Sequence, residues 1–282
     1  MLSADYPKRI VCLTEETTET LYLLGEEARI VGISGFTVRP PRARKEKPRV
    51  AAFTTAKLNT ILKLEPDLVL GFSDLQASIA RDLIAQGLTV MVFNQRSVQG
   101  ILNMITMLSA LVGALDRGEA LLRKLTSHLE SIKERADKLV RRPLVYFEEW
   151  DQPQISAIRW VSELIEIAGG KDCFSELASQ PQARDRIIAD PMEVKRRAPD
   201  VIIGSWCGKK FQPDKVRQRS GWQNIPAIRN HQLFEIKSAN ILQPGPAALT
   251  DGVTALHEII VSWHQHATGT PHLTEPSQSW KN

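Results

Sequence analysis

Short apolar runs without alternation recur along the chain, and each precedes a polar segment and then a helical pattern. The run at 9–14 leads through the polar residues 15–18 into a helical pattern that ends at Gly25. The run at 143–147 leads through two glutamates into a helical pattern at 158–168. Short apolar runs of this kind are typical of parallel strands covered on both faces by helices. The pattern therefore predicts an α/β fold.

A Pro-Asp pair followed by an apolar run also occurs twice. Pro66-Asp67 precedes the run at 68–72, and Pro199-Asp200 precedes the run at 201–206. Because the residue before a proline disfavours the helical conformation, each pair marks the end of a helix and the approach to a strand. The distance from Ile10 to Pro66 is 56 positions, and that from Leu144 to Pro199 is 55. This agreement predicts two α/β lobes with a common internal plan.

The longest helical pattern lies between the two halves, over 117–140. Its apolar positions are three or four residues apart: Leu122, Leu125, Leu129, Ile132, Ala136 and Leu139. A helix of this length measures about 36 Å. A dimeric coiled coil is an alternative, but fewer than three heptads is short for one, so we favour a stiff helix that joins both lobes.

The predicted fold class is an α/β fold with two parallel-sheet lobes, one long backbone helix that joins them, and a ligand cleft between the lobes. In the first lobe a helix is expected near 76–86, stopped by Gly87, before a strand at 88–93. In the second lobe a strand is expected at 232–236 and a final helix from about 247 to 263. The predicted divisions are an N-terminal lobe, a linking helix region, a C-terminal lobe and a tail, at 1–97, 98–141, 142–267 and 268–282.

Composition narrows the class of protein. Of 282 residues, 43% are hydrophobic and 24% are charged, which is typical of a globular protein and excludes a disordered one. No apolar stretch approaches the roughly 18 to 20 residues that a membrane-spanning helix needs. We expect a cytoplasmic protein, since no secretory signal is visible, or a periplasmic one if a signal has been removed. The net charge of +4 is mild and scattered, so no nucleic-acid partner is expected, and contact through the basic loops is a weak third option.

Candidate chemistry is sparse for an enzyme. Cys12, Cys173 and Cys207 have no spacing typical of a disulfide framework or a zinc site. The motifs of serine hydrolases, phosphate-binding loops, dinucleotide-binding folds and zinc proteases are absent from the sequence. The neighbouring His264 and His266 are a weak metal pair. We therefore predict no enzyme, no catalytic residue and no metal site.

Aromatic residues are concentrated in the loops that follow predicted strands, although they make up only 6% of the chain. In α/β folds these loops collect ligands. Rings there suggest a flat, partly apolar ligand. The aromatic candidates for ligand binding are Phe36, Phe53, Phe72, Trp150 and Trp206, with Trp222 either a lid over the cleft or a packing residue.

Polar candidates occupy the same loops. Thr14, Glu15 and Glu148 are expected as hydrogen-bond partners of a ligand, and a hydrated loop is the alternative. Arg39 heads a basic loop at 39–49 and is the best candidate there for an anionic ligand group, although a solvated rim is the more ordinary interpretation. Lys209 is expected to meet a phosphate or propionate group, or else to belong to a solvated basic turn.

The order of these motifs resembles the class III, helical-backbone substrate-binding proteins of ABC importers, and most of all their cobalamin-binding branch. The resemblance spans about 8–265 and depends on the run at 28–33, the Pro40-Pro41 pair, the doubled Pro-Asp motif and the long helix. It implies a small-molecule ligand held between two lobes: cobalamin, haem, a ferric siderophore or a metal ion. It also places Phe53 and Phe72 where the cobalamin binders have tryptophans that press on the corrin ring, and it requires no cofactor besides the ligand.

The chain departs from that family at two positions. Periplasmic members carry an exposed glutamate on each lobe that pairs with arginines of the membrane permease, and the matching positions here are Asn59 and Met192, with Glu193 adjacent. The departure favours a cytosolic corrinoid or tetrapyrrole binder that does not dock on an importer. The alternative is a redox or scaffold protein on the same two-lobed frame, with a cofactor on Cys207.

Overall fold

Ten strands form two sheets in the computed structural model, which describes residues 5–269. The first sheet contains five strands, all in parallel pairs, in the order β3-β2-β1-β4-β5. Their bounds are β1 Ile10–Cys12, β2 Ile30–Ser34, β3 Arg49–Ala51, β4 Leu68–Phe72 and β5 Val90–Phe93. Every residue of β1 and β4 is buried, as the unbroken apolar runs predict for strands covered on both faces.

The second sheet has the order β10-β9-β6-β7, and β8 also pairs with β6. Its strands are β6 Leu144–Asp151, β7 Gln154–Ser156, β8 Lys171–Asp172, β9 Val201–Gly204 and β10 Leu233–Glu235. All pairs are parallel except β6 with β7, which is antiparallel. The expectation of a wholly parallel second sheet was wrong here, because only two residues separate β6 from β7 and so short a connection reverses the chain.

Thirteen α-helices lie within residues 5–269, together with short 3-10 turns and a π-helical turn at Ala248–Gly252. The helices are α1 Glu15–Leu23, α2 Ala43–Glu46, α3 Leu58–Leu62, α4 Ala77–Ala85, α5 Val98–Leu111, α6 Leu115–Ala136, α7 Arg159–Ile167, α8 Ser175–Ala178, α9 Met192–Arg197, α10 Pro213–Arg217, α11 Pro226–Arg229, α12 Ser238–Ile241 and α13 Val253–Thr268. None of them is long and apolar enough to cross a lipid bilayer.

The chain forms two compact α/β units, and the predicted two-lobed α/β fold class is confirmed. Of the described residues, unit 1 contains 5–95, 99–125 and 244–246, and unit 2 contains 96–98, 126–243 and 247–269. The core of unit 1 includes Val11, Val69 and Leu83, and that of unit 2 includes Tyr146, Ile202 and Trp222. Neither unit is a continuous segment, whereas each of the four predicted divisions is one continuous segment of the chain.

Some element bounds differ from those predicted. The long helix α6 ends at Ala136 rather than near 140. The side chains of Ala136 and Leu139 lie close to Gly169. The predicted linking region also contains α5, which ends before Gly113 in the left-handed conformation. The final helix starts with the π-helical turn and runs to Thr268 instead of ending near 263. Most of the predicted tail lies outside the described residues.

The doubled Pro-Asp motif has the same contact in both units. The carboxylate of Asp67 accepts hydrogen bonds from the backbone amides of Lys8 and Arg9, at 2.6 and 2.9 Å, just before β1. The carboxylate of Asp200 accepts one from the amide of Leu144, at 2.9 Å, at the start of β6. In each case the aspartate precedes a strand that pairs with the strand whose start it holds. The repeated sequence therefore encodes a repeated join between two central strands.

Candidate functional site

The carboxyl ends of β1, β2, β3 and β4 lie along one edge of the parallel sheet in unit 1. The loops that follow these strands contain Thr14, Phe36, Arg39 and Phe53. Glu15 is the first residue of α1, which follows β1, and Phe72 is the last residue of β4. The structure thus brings six candidates to one sheet edge, where open α/β sheets collect ligands.

The three aromatic candidates of this edge differ in exposure. Phe36 is 56% exposed, which is unusual for so large an apolar side chain, and its backbone amide donates to Ser34 Oγ at 3.2 Å. Phe53 is half-buried. Phe72 is only 6% exposed and belongs to the core. Phe36 and Phe53 therefore retain exposed surface, whereas Phe72 is buried.

Gln76 positions this edge, although the sequence reasoning did not select it. Its side chain is fully buried, accepts from the amide of Phe72 at 2.9 Å, and donates to the carbonyl of Phe53 at 2.9 Å. Gly71 leaves room for it, since an added Cβ there would lie 2.9 Å from Gln76 Oε1. The sequence feature that could have indicated this contact is Gly71, two residues before the turn at 73–76, followed by the glutamine at position 76.

Helix α1 begins with a group of buried carboxyls, which we call the α1 acidic group: Glu15, Glu16 and Glu19. They are 6%, 1% and 4% exposed. Thr14 Oγ1 donates to Glu16 Oε1 at 2.6 Å, and the predicted Arg39 donates through Nε to Glu19 Oε1 at 2.8 Å. One carboxylate oxygen each of Glu15 and Glu16 has no hydrogen-bond partner among the described residues.

Burial changes the charge of this group. It raises the pKa of Glu15 to about 8, and the neighbouring Glu16 and Glu19 carboxylates add to the rise against Arg39 and Arg44. Burial also raises the pKa of Glu16 to about 7, against the hydrogen bond from Thr14. Glu15 is therefore mostly protonated at neutral pH and offers a hydrogen-bond donor at this edge.

In unit 2 the predicted Glu148 is fully buried and already saturated. Arg219 donates to both of its carboxylate oxygens, at 2.5 and 2.8 Å. Trp206 Nε1 donates at 2.9 Å and the Tyr146 hydroxyl at 2.8 Å. Glu148 thus anchors a buried polar network, and its adjacent Glu149 binds Arg186 instead, at 2.6 Å.

Two predicted aromatic contacts of unit 2 are core residues. Trp206 is 3% exposed and packs edge-on against Phe211, with ring centroids 5.0 Å apart. Trp222 is 1% exposed, packs against Tyr146, and has the Arg219 guanidinium over its ring. The structure assigns Trp222 to packing rather than to a lid, and the burial of Trp206 argues against direct contact with a ligand.

Trp150 and Lys209 remain at the surface of unit 2. Trp150 is half-buried, its Nε1 donates to the carbonyl of Gln152 at 2.9 Å, and the Lys209 ammonium lies 4.1 Å from its ring centroid. Lys209 is also ion-paired with Asp151, as is Lys215. Burial acts to raise the pKa of Asp151, but the hydrogen bonds from both lysines hold it below its usual value. Lys209 is therefore already neutralised within its own unit.

Comparison with known proteins adds the family. The model of the family described as "Periplasmic binding protein" matches residues 10–239. The chain belongs to the periplasmic binding protein family. It is 25% identical over 264 residues to the uncharacterized ABC transporter substrate-binding lipoprotein YvrC of Bacillus subtilis. This alignment covers 90% of this chain and 80% of that protein. The chain is 24% identical to a vitamin B12-binding protein of Vibrio campbellii, in an alignment that covers 84% of each.

A solved structure shows the same fold. The crystal structure of a possible iron-binding, periplasmic solute-binding protein from Staphylococcus epidermidis superposes with a TM-score of 0.78 at 20% identity, over 91% of this chain and 99% of that one. The predicted resemblance to class III substrate-binding proteins is confirmed by these matches. The relatives of this periplasmic binding protein are solute-binding proteins rather than enzymes, in agreement with the absence of a predicted catalytic residue.

Other predicted positions bear on partners and cofactors. Asn59 is exposed in α3, and Met192, partly exposed, is the first residue of α9. The adjacent Glu193 is ion-paired with Arg196 and Arg197, at 2.6 and 2.9 Å. Cys207 is an exposed thiol after β9. Between residues 5 and 269, no three His, Cys, Asp or Glu side chains are grouped so that they would hold a metal ion.

Proposed function

We propose that this periplasmic binding protein is a substrate-binding protein whose ligand is a corrinoid, or a related tetrapyrrole or siderophore. The family match and the vitamin B12-binding relative support the ligand class. The observation that carries the proposal is the placement of the exposed Phe36 and the half-buried Phe53 after the neighbouring strands β2 and β3, at the carboxyl edge of a parallel sheet. Two aromatic faces there suit a large, flat, partly apolar ligand.

The polar contacts proposed for the ligand are few. The mostly protonated Glu15 carboxyl suits an amide side chain of a corrinoid, because it can donate and accept, and its Oε2 has no hydrogen-bond partner among the described residues. In unit 2, Trp150 is the proposed ring contact, since it retains exposed surface. Lys209 is the proposed contact for an anionic group, but its ion pair with Asp151 has to be weakened first.

Titration followed by visible absorbance tests the ligand class. Cyanocobalamin, haemin and a ferric hydroxamate siderophore are added in separate experiments, and calorimetry gives the affinity. We expect one of them to bind one to one with a Kd below about 10 µM, a free energy of about −7 kcal/mol. If none of the three compounds gives a spectral or calorimetric response, the proposal is rejected.

Variants of the two rings test the site. Phe36→Ala and Phe53→Ala are each expected to weaken binding by roughly tenfold, since each removes aromatic contact area worth about 1–2 kcal/mol. Ile84→Ala is the matched control, because Ile84 is 58% exposed on α4 and has no place in the proposed site. Equal affinity in Phe36→Ala, Phe53→Ala and Ile84→Ala contradicts the proposed site.

Permease docking and cellular location are proposals as well. Position 59 bears no acid, and Glu193 beside Met192 is engaged by two arginines. We propose that this protein does not dock through a pair of exposed glutamates and resides in the cytoplasm. Cell fractionation with an antibody to the protein tests the location, and recovery in a membrane or periplasmic fraction contradicts it.

The alternative with a redox cofactor on Cys207 has its own test. Cys207→Ala is expected to keep full affinity for the bound ligand if the thiol has no ligating role. A loss of affinity or of a visible absorbance band in this variant favours the alternative.

A further inference from the structure

Unit 1 contains a cavity of about 580 Å³ near the carboxyl ends of β2 and β3. We call it the basic cavity, because four of the nine residues that line it are cationic: Arg44, Lys47, Arg49 and Lys57. No acidic residue lines it, and its other walls include Pro48, Ala51 and Ala52. The cavity therefore combines a cluster of positive charge with a small apolar surface.

The charges of the basic cavity are not neutralised by ion pairs. The basic loop at 39–49 contains two other cations that are ion-paired. Arg39 pairs with Glu19 at 2.8 Å, and Arg42 pairs with Glu27 at 3.0 Å. Glu46, the single acid of that loop, accepts from the Tyr22 hydroxyl at 2.7 Å. Within the part of the chain that the structure describes, the four cavity cations form no ion pair with a carboxylate.

The positive charge of Arg44 acts to lower the pKa of Glu15, so Glu15 is a candidate to compensate that charge. Its own burial raises that pKa to about 8, so most of the Glu15 carboxyl is uncharged at pH 7 and does not compensate Arg44. Arg44, Arg49 and Lys57 are exposed, so water screens their mutual repulsion, and all four cations remain available to an anion that enters the cavity. This excess of positive charge in a concave, partly apolar space points to a ligand.

We propose that the basic cavity binds a small organic polyanion, a molecule with two or more carboxylate or phosphate groups. Guanidinium groups bind such oxyanions through paired hydrogen bonds, and lysines add point charges. A volume of about 580 Å³ suits an organic molecule rather than a lone inorganic ion. Thr55 supplies a hydroxyl, and the apolar walls accept a carbon skeleton.

The basic cavity adjoins the proposed corrinoid site, because Gly35 and Ala52 of its lining precede Phe36 and Phe53 in the chain, but it shares no residue with the eleven candidates for that site and is proposed to take a different class of ligand. All of its lining residues belong to unit 1, and the ligands that test it are citrate and pyrophosphate rather than a corrinoid or haem. Carboxylates and phosphates share the chemistry that four cations recognise, so the experiment separates these two sources.

Calorimetric titration of the full chain at low ionic strength is the test, with citrate in one arm and pyrophosphate in the other, and acetate as a singly charged comparison. We expect citrate or pyrophosphate to bind one to one, at least tenfold more tightly than acetate, with affinity that falls as salt is added. The tighter arm identifies the anionic group. Failure of both polyanions to bind at low salt overturns the proposal.

Paired variants locate the site. Arg44→Gln with Arg49→Gln is expected to weaken binding at least tenfold, and so is Lys47→Gln with Lys57→Gln, which keeps the test valid if the first pair does not fold. Ala52→Phe fills the cavity without changing its charge and is expected to weaken binding as well. Lys63→Gln with Arg81→Gln is the control, since it removes two exposed cations outside the cavity.

The control decides between a site and general attraction to a basic protein. A loss of affinity in Lys63→Gln with Arg81→Gln equal to that in the cavity variants overturns the proposal, as does unchanged binding in Ala52→Phe. Titration of the same variants with cyanocobalamin and haemin keeps the two proposals apart. A cavity variant that loses citrate or pyrophosphate binding but keeps its corrinoid affinity supports the basic cavity as a second site.

Discussion

At the scale of single residues, the α1 acidic group is the least ordinary feature of unit 1. Glu15, Glu16 and Glu19 occupy buried positions at the start of a helix, where most carboxylates are exposed to water. Burying an ionised carboxylate costs so much free energy that the group takes up a proton instead. The raised pKa values of Glu15 and Glu16 are the physical consequence of that cost.

The first prediction concerns the pH dependence of stability. The pKa of Glu15 is raised from 4.5 to about 8 in the folded protein. The folded state therefore binds this proton more tightly than the unfolded state, and the stabilisation is complete below about pH 4.5 and is lost as the pH rises towards 8. We expect Glu15→Gln to be more stable than the native protein at pH 8.5 by on the order of 2 kcal/mol, with a much smaller difference at pH 5.

Urea unfolding followed by circular dichroism at both pH values measures this effect. Glu134→Gln is the control, because Glu134 is exposed on α6 and its loss is expected to leave the pH dependence unchanged. Parallel stability curves for the native protein and Glu15→Gln between pH 5 and 8.5 contradict the buried, protonated state of Glu15.

The sequence predicted which residues lie near the sheet edges better than which of them are exposed. Phe36 and Phe53 were found because they follow strands, and the structure leaves ring surface at both. Trp206 follows a strand in the same way but is buried, because Gly204 admits the Phe211 ring. An added Cβ at Gly204 would lie 1.9 Å from that ring. Such a tertiary contact has no signal in the local pattern.

At the scale of elements, the Pro-Asp motif explains how the two central strands of each unit begin in register. The residue before each proline, Glu65 or Ala198, has a positive φ, at 45° and 49°. This left-handed residue follows α3 or α9 and reverses the chain direction before the next strand, β4 or β9. Asp67 or Asp200 then fixes the start of the adjacent strand through backbone amides.

The second prediction follows from that motif. Asp67→Ala removes the acceptor of two backbone hydrogen bonds, and Asp200→Ala removes the acceptor of one. Hydrogen bonds to a charged group contribute about 1.5–3 kcal/mol each when they are well formed, and less at exposed positions. We expect each variant to lose about 1–2 kcal/mol of stability in urea unfolding.

Asp82→Ala is the control for both, since Asp82 is exposed on α4 and its ion pair within residues 5–269 is with the adjacent Arg81. It is expected to change stability by less than about 0.5 kcal/mol. Loss of stability in Asp67→Ala with none in Asp200→Ala rejects the equivalence of the two motifs.

Element prediction from the sequence succeeded where periodicity and breakers agreed. The buried strands β1, β4, β6 and β9 follow from unbroken apolar runs, and α4 follows from its apolar spacing and the stop at Gly87. The strand β7 was missed, because three residues after a tight turn carry too little pattern. The helix α5 was absorbed into the linking region, although its buried residues, Ile101, Met104, Ile105 and Leu108, have ordinary helical spacing.

At the scale of the whole molecule, the chain returns to unit 1 near its end. Residues 244–246 belong to unit 1, although the chain on both sides of them belongs to unit 2. Gln95 Nε2 donates to the carbonyl of Pro244 at 2.9 Å, and Gly245 lies against Glu16. A split of the chain into two consecutive pieces therefore removes a part of unit 1 that the duplicated sequence pattern does not reveal.

The last prediction tests this returning segment. An added Cβ at Gly245 would lie 2.5 Å from the Cβ of Glu16 and 3.1 Å from its Cα, so the backbone of one of them has to move. Overpacking of this kind costs about 1–3 kcal/mol, and we expect Gly245→Ala to destabilise the protein by that amount in urea unfolding. Hydrogen exchange is expected to quicken at the amides of β1 and α1, because the strain falls on unit 1 although the substitution lies far along the chain.

A double-mutant cycle separates this contact from a general effect of the substitution. Glu16→Gly removes the Cβ that the new methyl group meets, so Gly245→Ala is expected to cost less in that background, with a coupling free energy of about 1 kcal/mol. The same cost in both backgrounds places the strain elsewhere and rejects the contact between 244–246 and α1. Coupling confirms that unit 1 is completed by three residues from the far end of the chain, so that a fragment consisting of the N-terminal half alone lacks the packing partner of its own α1 acidic group.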